Sequence, residues 1–219
     1  MKRTLIALAA VAISTFAQAD VITIDDFNGP DVNQLSAALG QTATNTDAIR
    51  TVSITTLAGP ADGNGATLTI GSQTFPVGLL EVANASGRDT EVKVNWDVAA
   101  GLLPADATDI GFFLQVVQSD GNPTDLEFTL DGTSLAKFAI APNTLNTGLS
   151  FGLNAAQIAS LSKGGDLGMT INGGMGWDMT LDLFGFSFNK PTTVPEPTSL
   201  ALVGLALAGA GFASRRRKA

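Results

Sequence analysis

Along most of the chain, apolar side chains recur at every second position. Val92, Val94, Trp96 and Val98 alternate with Glu91, Lys93, Asn95 and Asp97. Leu126, Phe128 and Leu130 alternate with Asp125, Glu127, Thr129 and Asp131. A period of two puts one side chain in a core and the next in water, so both stretches predict half-buried β-strands. The same reading predicts strands over 21–27, 51–57, 66–70, 75–82, 110–118, 134–140, 149–153, 167–171 and 179–188. Turn signals separate them at Asp62-Gly63-Asn64-Gly65, Ser86-Gly87, Asp120-Gly121-Asn122-Pro123, Asp131-Gly132, Lys163-Gly164-Gly165 and Asn172-Gly173-Gly174. Asp131-Gly132 is the best two-residue hairpin turn. Short helices are expected at 32–39 and 154–161, the second capped by Asn154 with Ile158 and Leu161 on one face. In the last strand Trp177, Met179, Leu181 and Leu183 keep one parity and Phe184, Phe186 and Phe188 the other. That phase shift predicts a β-bulge near Gly185, or else a strand buried on both sides. Many short strands at close spacing predict an all-β fold, an antiparallel β-sandwich over residues 20–189.

The two ends follow other rules. Lys2 and Arg3 precede an apolar run, Leu5 to Ile13, and then Ala17-Gln18-Ala19. A basic start, a short apolar stretch and small residues ahead of Asp20 read as a secretory signal peptide over 1–19, cut by signal peptidase between Ala19 and Asp20. The run is too short to span a bilayer, which takes ~20 apolar residues. At the other end a polar linker, 190–194, leads to Pro195-Glu196-Pro197. An uncharged stretch, Thr198 to Ala213, follows, and then Arg215-Arg216-Arg217-Lys218. At a rise of ~1.5 Å per residue, 198–213 makes a helix of about 24 Å, a short transmembrane span whose flanks can extend it. The basic tail, 215–218, stays on the cytoplasmic side, which places residues 20–189 outside as an ectodomain.

Composition narrows the chemistry. The 219 residues include no Cys, no His and no Tyr. Without Cys there is no disulfide and no thiolate metal site, and without His no imidazole nucleophile pair, ligand or neutral-pH proton shuttle. Between Asp20 and Val194 six basic residues face 19 acidic ones, a net charge of −13. Nucleic acid, which demands clustered Lys and Arg, is excluded as a partner. Glycoside hydrolysis by a carboxylate pair stays open by composition, but no spacing fixes two acids across a cleft, and Glu91 and Glu127 sit on the solvated side of their strands. Trp96 shares the phase of Val92, Val94 and Val98, so it reads as core rather than as a sugar-stacking platform. The expectation is a protein that is not an enzyme.

The order of linker, Pro-Glu-Pro, apolar helix and basic end resembles the PEP-CTERM tail of Gram-negative surface proteins. The matching residues are Val194 to Leu202 and Arg215-Arg216-Arg217; the resemblance covers Val194 to Ala219, with the sorting signal itself at 195–219. The resemblance implies that a membrane-embedded exosortase reads Pro195, Glu196 and Pro197 and discards the helix, in the manner of a GPI signal. Proline suits such a site because it keeps Glu196 out of the helix and extended.

A second, looser resemblance rests on the Asp25-Asp26-Phe27 opening and the close Trp177-Asp178 with Asp182-x-Phe184-x-Phe186. Both are similar to jelly-roll modules of the carbohydrate-binding type, in which the terminal strands pair. Those modules often hold a structural Ca²⁺ near the termini. If the strands pair here, Asp25, Asp26 and Asp182 converge, and an oxygen-only cluster suits Ca²⁺. The alternative is that these are solvated strand-end and turn aspartates. No other cofactor is expected.

The two resemblances together imply an exported protein, held in the inner membrane in transit and then placed at the cell surface or in the extracellular matrix. Its expected role is structural or adhesive, in the envelope, a biofilm or an exopolysaccharide matrix. The alternative is a non-catalytic module that recognises one polysaccharide.

Overall fold

A computed structural model describes residues 19–60, 65–71 and 78–190. Its strands are β1 (Asp20–Asp25), β2 (Val32–Ser36), β3 (Thr42–Thr46), β4 (Thr51–Ala58), β5 (Thr67–Gly71), β6 (Leu79–Ala83), β7 (Asp89–Val98), β8 (Thr108–Ser119), β9 (Thr124–Leu130), β10 (Thr133–Ile140), β11 (Leu145–Gly152), β12 (Gly165–Gly173) and β13 (Met179–Asn189). One helix, α1 (Ala155–Leu161), links β11 to β12. The strands form two antiparallel sheets. The first runs β11-β8-β13-β6-β5-β2, with β1 also paired to β13. The second runs β10-β9-β12-β7-β4-β3. The terminal strands pair, as they do in the modules the ends of the domain resemble, from Asp20 opposite Phe188 to Asp25 opposite Phe184.

The core lies between the sheets and is built by the alternating residues. Val92, Val94, Trp96, Leu126 and Phe128 from the second sheet are buried, as are Phe112, Leu114, Phe184 and Phe186 from the first. Aromatic rings join the two layers. Phe112 stacks on Phe128 with centroids 4.0 Å apart, and Trp96 meets Phe184 at 4.7 Å. Such pairs contribute about 0.5–1.5 kcal/mol beyond their burial.

Local chemistry explains the connections. Asp131 and Gly132 both take positive φ (49° and 74°), and Thr133 pairs with Leu130, so β9 and β10 close through the two-residue turn that Asp-Gly favours. Asn154 caps α1, and Gln157 reaches back to the Asn154 N–H in a capping box. Leu161 is buried and Ile158 packs on the core.

Two expectations are corrected. Residues 32–39 do not form a helix: Val32–Ser36 is β2, paired to β5 with an irregularity between Val32 and Leu35. The apolar spacing of Val32, Leu35 and Leu39 fits a helix, but a free strand edge beside β5 captures the segment. The strand β3 was not expected at all. In β13 the register against β8 slips between Thr180 and Leu183, slightly upstream of the expected position. Phe184 to Phe188 are then buried on both faces, so β13 combines both expected solutions.

Among the described residues no helix is long and apolar enough to cross a membrane. The expected transmembrane stretch 198–213, the basic tail, the sorting residues Pro195, Glu196 and Pro197, and the signal residues up to Gln18 lie outside the described residues.

Candidate functional site

The outer face of the second sheet is polar. Its rows follow from strand register. Thr42, Thr55, Glu91, Asn172 and Asp125 form one row, and Thr44, Ser53, Lys93, Thr170, Glu127 and Lys137 the next. Thr46, Thr51, Asn95, Gly168 and Thr129 form a third. On β4, β7, β9 and β12 each is the outward partner of a buried residue one position away, so the period that fills the core also makes this face polar. Cross-strand hydroxyls bond directly: the Thr42 and Thr55 Oγ atoms lie 2.8 Å apart, and those of Thr46 and Thr51 3.1 Å apart.

At one end the face is grooved. A cavity of about 370 Å³ is lined by Asp89, Glu91, Pro123, Asp125, Glu127, Lys137, Thr170, Asn172, Gly173 and Gly174. Four carboxylates share it with one ammonium group. Lys93 Nζ holds Glu91 Oε1 at 2.7 Å beside it. The carboxylates, the Asn172 amide and the Thr170 hydroxyl can all accept hydrogen bonds. No aromatic side chain lines the groove. Trp96 and Trp177 are 2% and 0% exposed, so both Trp residues serve the core and neither offers a stacking surface.

The three aspartates expected near the termini go to separate tasks. Asp25 is buried, and its carboxylate is saturated. Arg50 Nη1 donates to Asp25 Oδ1 and Oδ2 at 2.7 Å each, Trp96 Nε1 donates to Oδ2 at 2.8 Å, and the Phe27 N–H donates to Oδ1 at 2.9 Å. Arg50 Nη2 donates to the Pro30 carbonyl at 2.9 Å, so one guanidinium ties β1 to the loop that follows it, and the shared Asp25 carboxylate ties both to Trp96 of β7. Asp26 is surface-facing and accepts from the Asn28 N–H at 3.1 Å. The Asn28 side chain and then its N–H hold the Asp26 carboxyl below the usual carboxylate range. Asp182 is exposed on β13. Among the described residues no group of three or more acidic, His or Cys side chains is placed to hold a metal ion. The buried Asp25–Arg50 pair was not foreseen, since nothing local in the sequence links residues 25 and 50.

A smaller pocket, about 160 Å³, lies at the β6, β8 and β13 ends, between Glu81, Asp120 and Asp178. Burial pushes the Asp178 carboxyl up, the Asn84 N–H at 2.6 Å pulls it down, and the Asp120 charge raises it further. The carboxamide of Asn84, the residue that opens an Asn-Ala-Ser sequon, is fully engaged: it donates to the Trp177 carbonyl and accepts from the Thr90 hydroxyl.

Residues 193–218 match the family model of the PEP-CTERM protein-sorting motif. The chain therefore carries a PEP-CTERM protein-sorting motif at residues 193–218. The motif marks the chain as exported and sorted by way of the membrane. No curated protein matches it in sequence. Among solved structures, this chain is similar to an exo-β-1,3-galactanase from Phanerochaete chrysosporium, with 16% identity over 68% of this chain and 29% of that one, TM-score 0.30. It is also similar to the family 11 carbohydrate-binding module of a Clostridium thermocellum cellulosomal cellulase, with 10% identity over 77% and 95% of the two chains, TM-score 0.32. A third is an N-terminal endo-1,4-β-D-xylanase from Clostridium thermocellum solved with xylohexaose, with 8% identity over 80% and 28%, TM-score 0.31. This chain thus spans under a third of the two enzyme chains and nearly all of the binding module.

Proposed function

We propose that this chain is a non-catalytic surface or extracellular-matrix protein, released to its destination by an exosortase that cuts at Pro195-Glu196-Pro197. The observation that carries this reading is the sorting motif at residues 193–218. The sandwich is its cargo. Signal peptidase cutting before Asp20 leaves β1 whole, because β1 begins at Asp20. The role is structural or adhesive, in the envelope or an exopolysaccharide matrix, with the polar outer face of the second sheet turned to the matrix. A chain without His or Cys, whose Trp residues are buried, is suited to scaffold work rather than turnover.

The test of the sorting step replaces the tripeptide: Pro195→Ala, Glu196→Ala and Pro197→Ala together. The expected product keeps its tail, stays in the inner membrane and melts as the wild type does. Normal processing and surface delivery of that variant would refute the exosortase reading.

The groove favours a second reading, a module that binds one polysaccharide. Polysaccharide pull-down with the exported protein separates the two. Retention of a single glycan, lost on Asp125→Ala with Glu127→Ala, supports specific recognition; equal weak retention of many glycans supports the scaffold.

A further inference from the structure

Among the described residues the first sheet has edge strands β11, β2 and β1, which pairs only with β13, and the second has β10 and β3; all but β11 are protected or weakly apolar. The β1 edge has a register break between Thr23 and Asp25 and an exposed Asp20. The β2 edge is irregular, with Gln34 at φ 45° and a register break between Val32 and Leu35. The β10 edge carries a break between Ser134 and Ala136 and an exposed Lys137, and the Gln157 side chain of α1 occupies the Leu135 carbonyl. Breaks, charges and covering side chains are the devices that keep edges from pairing. The β3 edge is uncharged, but it is five residues long and offers only Thr, Ala and Asn.

The β11 edge has none of these protections beyond its first two residues. Its eight residues, Leu145 to Gly152, carry no charge and no proline, within a segment of net charge −13. Only Asn146, at φ 43°, is irregular. From Thr147 to Gly152 the register against β8 is unbroken, and the Leu153 N–H donates to the Ile110 carbonyl at 2.9 Å. Counting back by twos, Phe151, Leu149 and Thr147 bond β8, which leaves the N–H and C=O of Gly148, Ser150 and Gly152 pointing to the open side. All three of these residues are exposed.

We infer that β11 pairs with β11 of a second copy, antiparallel about a two-fold axis at Ser150, joining the first sheets of two molecules into one. The occupant is a second copy because the segment is self-complementary, as an isologous contact requires. Gly148-Leu149-Ser150-Phe151-Gly152 reads nearly the same in both directions. The axis sets Gly148 against the second copy's Gly152, Ser150 against Ser150, and Leu149 beside Phe151. The glycines add no bulk on the outer face, and the half-buried Leu149 and Phe151 extend the core across the junction. Phe151 already stacks on Phe138 at 4.3 Å, so its ring is held where the second copy arrives. Absence of charge matters most here, since two copies of so acidic a segment repel wherever carboxylates face each other.

The test uses exported protein purified from cells that make the full chain, studied by sedimentation velocity over a concentration series. The wild type is expected to dimerise. Ser150→Glu sets like charges directly opposite across the axis and should weaken dimerisation at least 10-fold, while Thr44→Glu, on the other open edge, should leave it unchanged. Because the chain has no Cys, Ser150→Cys gives a single thiol. Directly opposed residues of a hydrogen-bonded antiparallel pair lie about 5.5 Å apart at Cα, within disulfide reach, so mild oxidation should link Ser150→Cys into dimers and leave Thr44→Cys monomeric. A wild type that stays monomeric throughout, a Ser150→Glu protein that dimerises normally, or equal cross-linking at both positions overturns the proposal. Should Ser150→Glu fail to fold, the cysteine pair decides. The assay needs no glycan and no exosortase, so its outcome is independent of the proposed role.

Discussion

The buried pair Asp25–Arg50 is the sharpest test of how this fold is held. Arg50 is 3% exposed and supplies three hydrogen bonds, two to Asp25 and one to the Pro30 carbonyl. Arg50→Met keeps most of the stem volume and removes the charge. Asp25, also 3% exposed, is then a carboxylate without a counter-charge, held by the Trp96 and Phe27 N–H groups alone. Removing one partner of a buried pair costs about 3–5 kcal/mol. A unit of this size loses roughly 2–4 °C of melting temperature per kcal/mol, so the expected drop is on the order of 10 °C. The double change Asp25→Leu with Arg50→Met removes both charges, and such replacements are often near neutral. It should therefore recover a large part of the loss. Thermal melts by circular dichroism on the exported protein, arranged as a double-mutant cycle, measure this directly. A drop under 3 °C for Arg50→Met, or a double variant no better than the worse single one, would refute the view that charge compensation is what Arg50 provides.

Three further outcomes follow from the same geometry. Gly185→Ala should destabilise by about 1–3 kcal/mol in urea melts, because an added methyl meets the Ile22 carbonyl where β1 lies against β13; an unchanged midpoint would show that β1 yields freely. Asp178 has a folded pKa raised above its unfolded value, so wild-type stability falls as pH rises from the usual carboxylate range through the raised value. Asp178→Asn should remove that part of the slope of melting temperature against pH, and parallel curves would disprove it. Millimolar Ca²⁺ should leave the melting temperature unmoved, since the Asp25 oxygens are already saturated; a clear rise would reveal a native-state ion site.

What the sequence revealed, and what it hid, divides along physical lines. Strands with one face fully buried were legible, because burial forces strict alternation: β7 and β9 are the clearest, and the Asp131-Gly132 turn and the Asn154 cap depend on local chemistry alone. The edge strands were not. In β3, Thr42-Ala43-Thr44-Asn45-Thr46 has no fully buried side, so it shows no apolar period; its β-branched threonines were the one available signal. In β2 the irregular register blurs a period of two into something like a helical one. The pairing of the terminal strands entered only through the resemblance carried by Asp25-Asp26-Phe27 and the phenylalanine-rich close. The fate of Asp25 was not foreseen, because its partner Arg50 comes from a hairpin whose position only the assembled sandwich defines.

The core also explains the character of the polar face. Aromatic residues are 6% of the chain, and Tyr is absent. Phe112, Phe128, Phe184, Phe186, Trp96 and Trp177 all go to the interior, where their stacking joins the two sheets. Little remains to stack on a sugar ring. A ligand of the second sheet's outer face must then be held by hydroxyls, amides and carboxylates, each contact competing with water and contributing only about 0.5–1.5 kcal/mol net. Such a face holds a single small sugar poorly. It gains strength only when one long polymer touches many positions, or when several copies present the face together. Repetition of weak polar contacts is what a matrix scaffold needs, and pairing through β11 would double the number of faces each assembly presents.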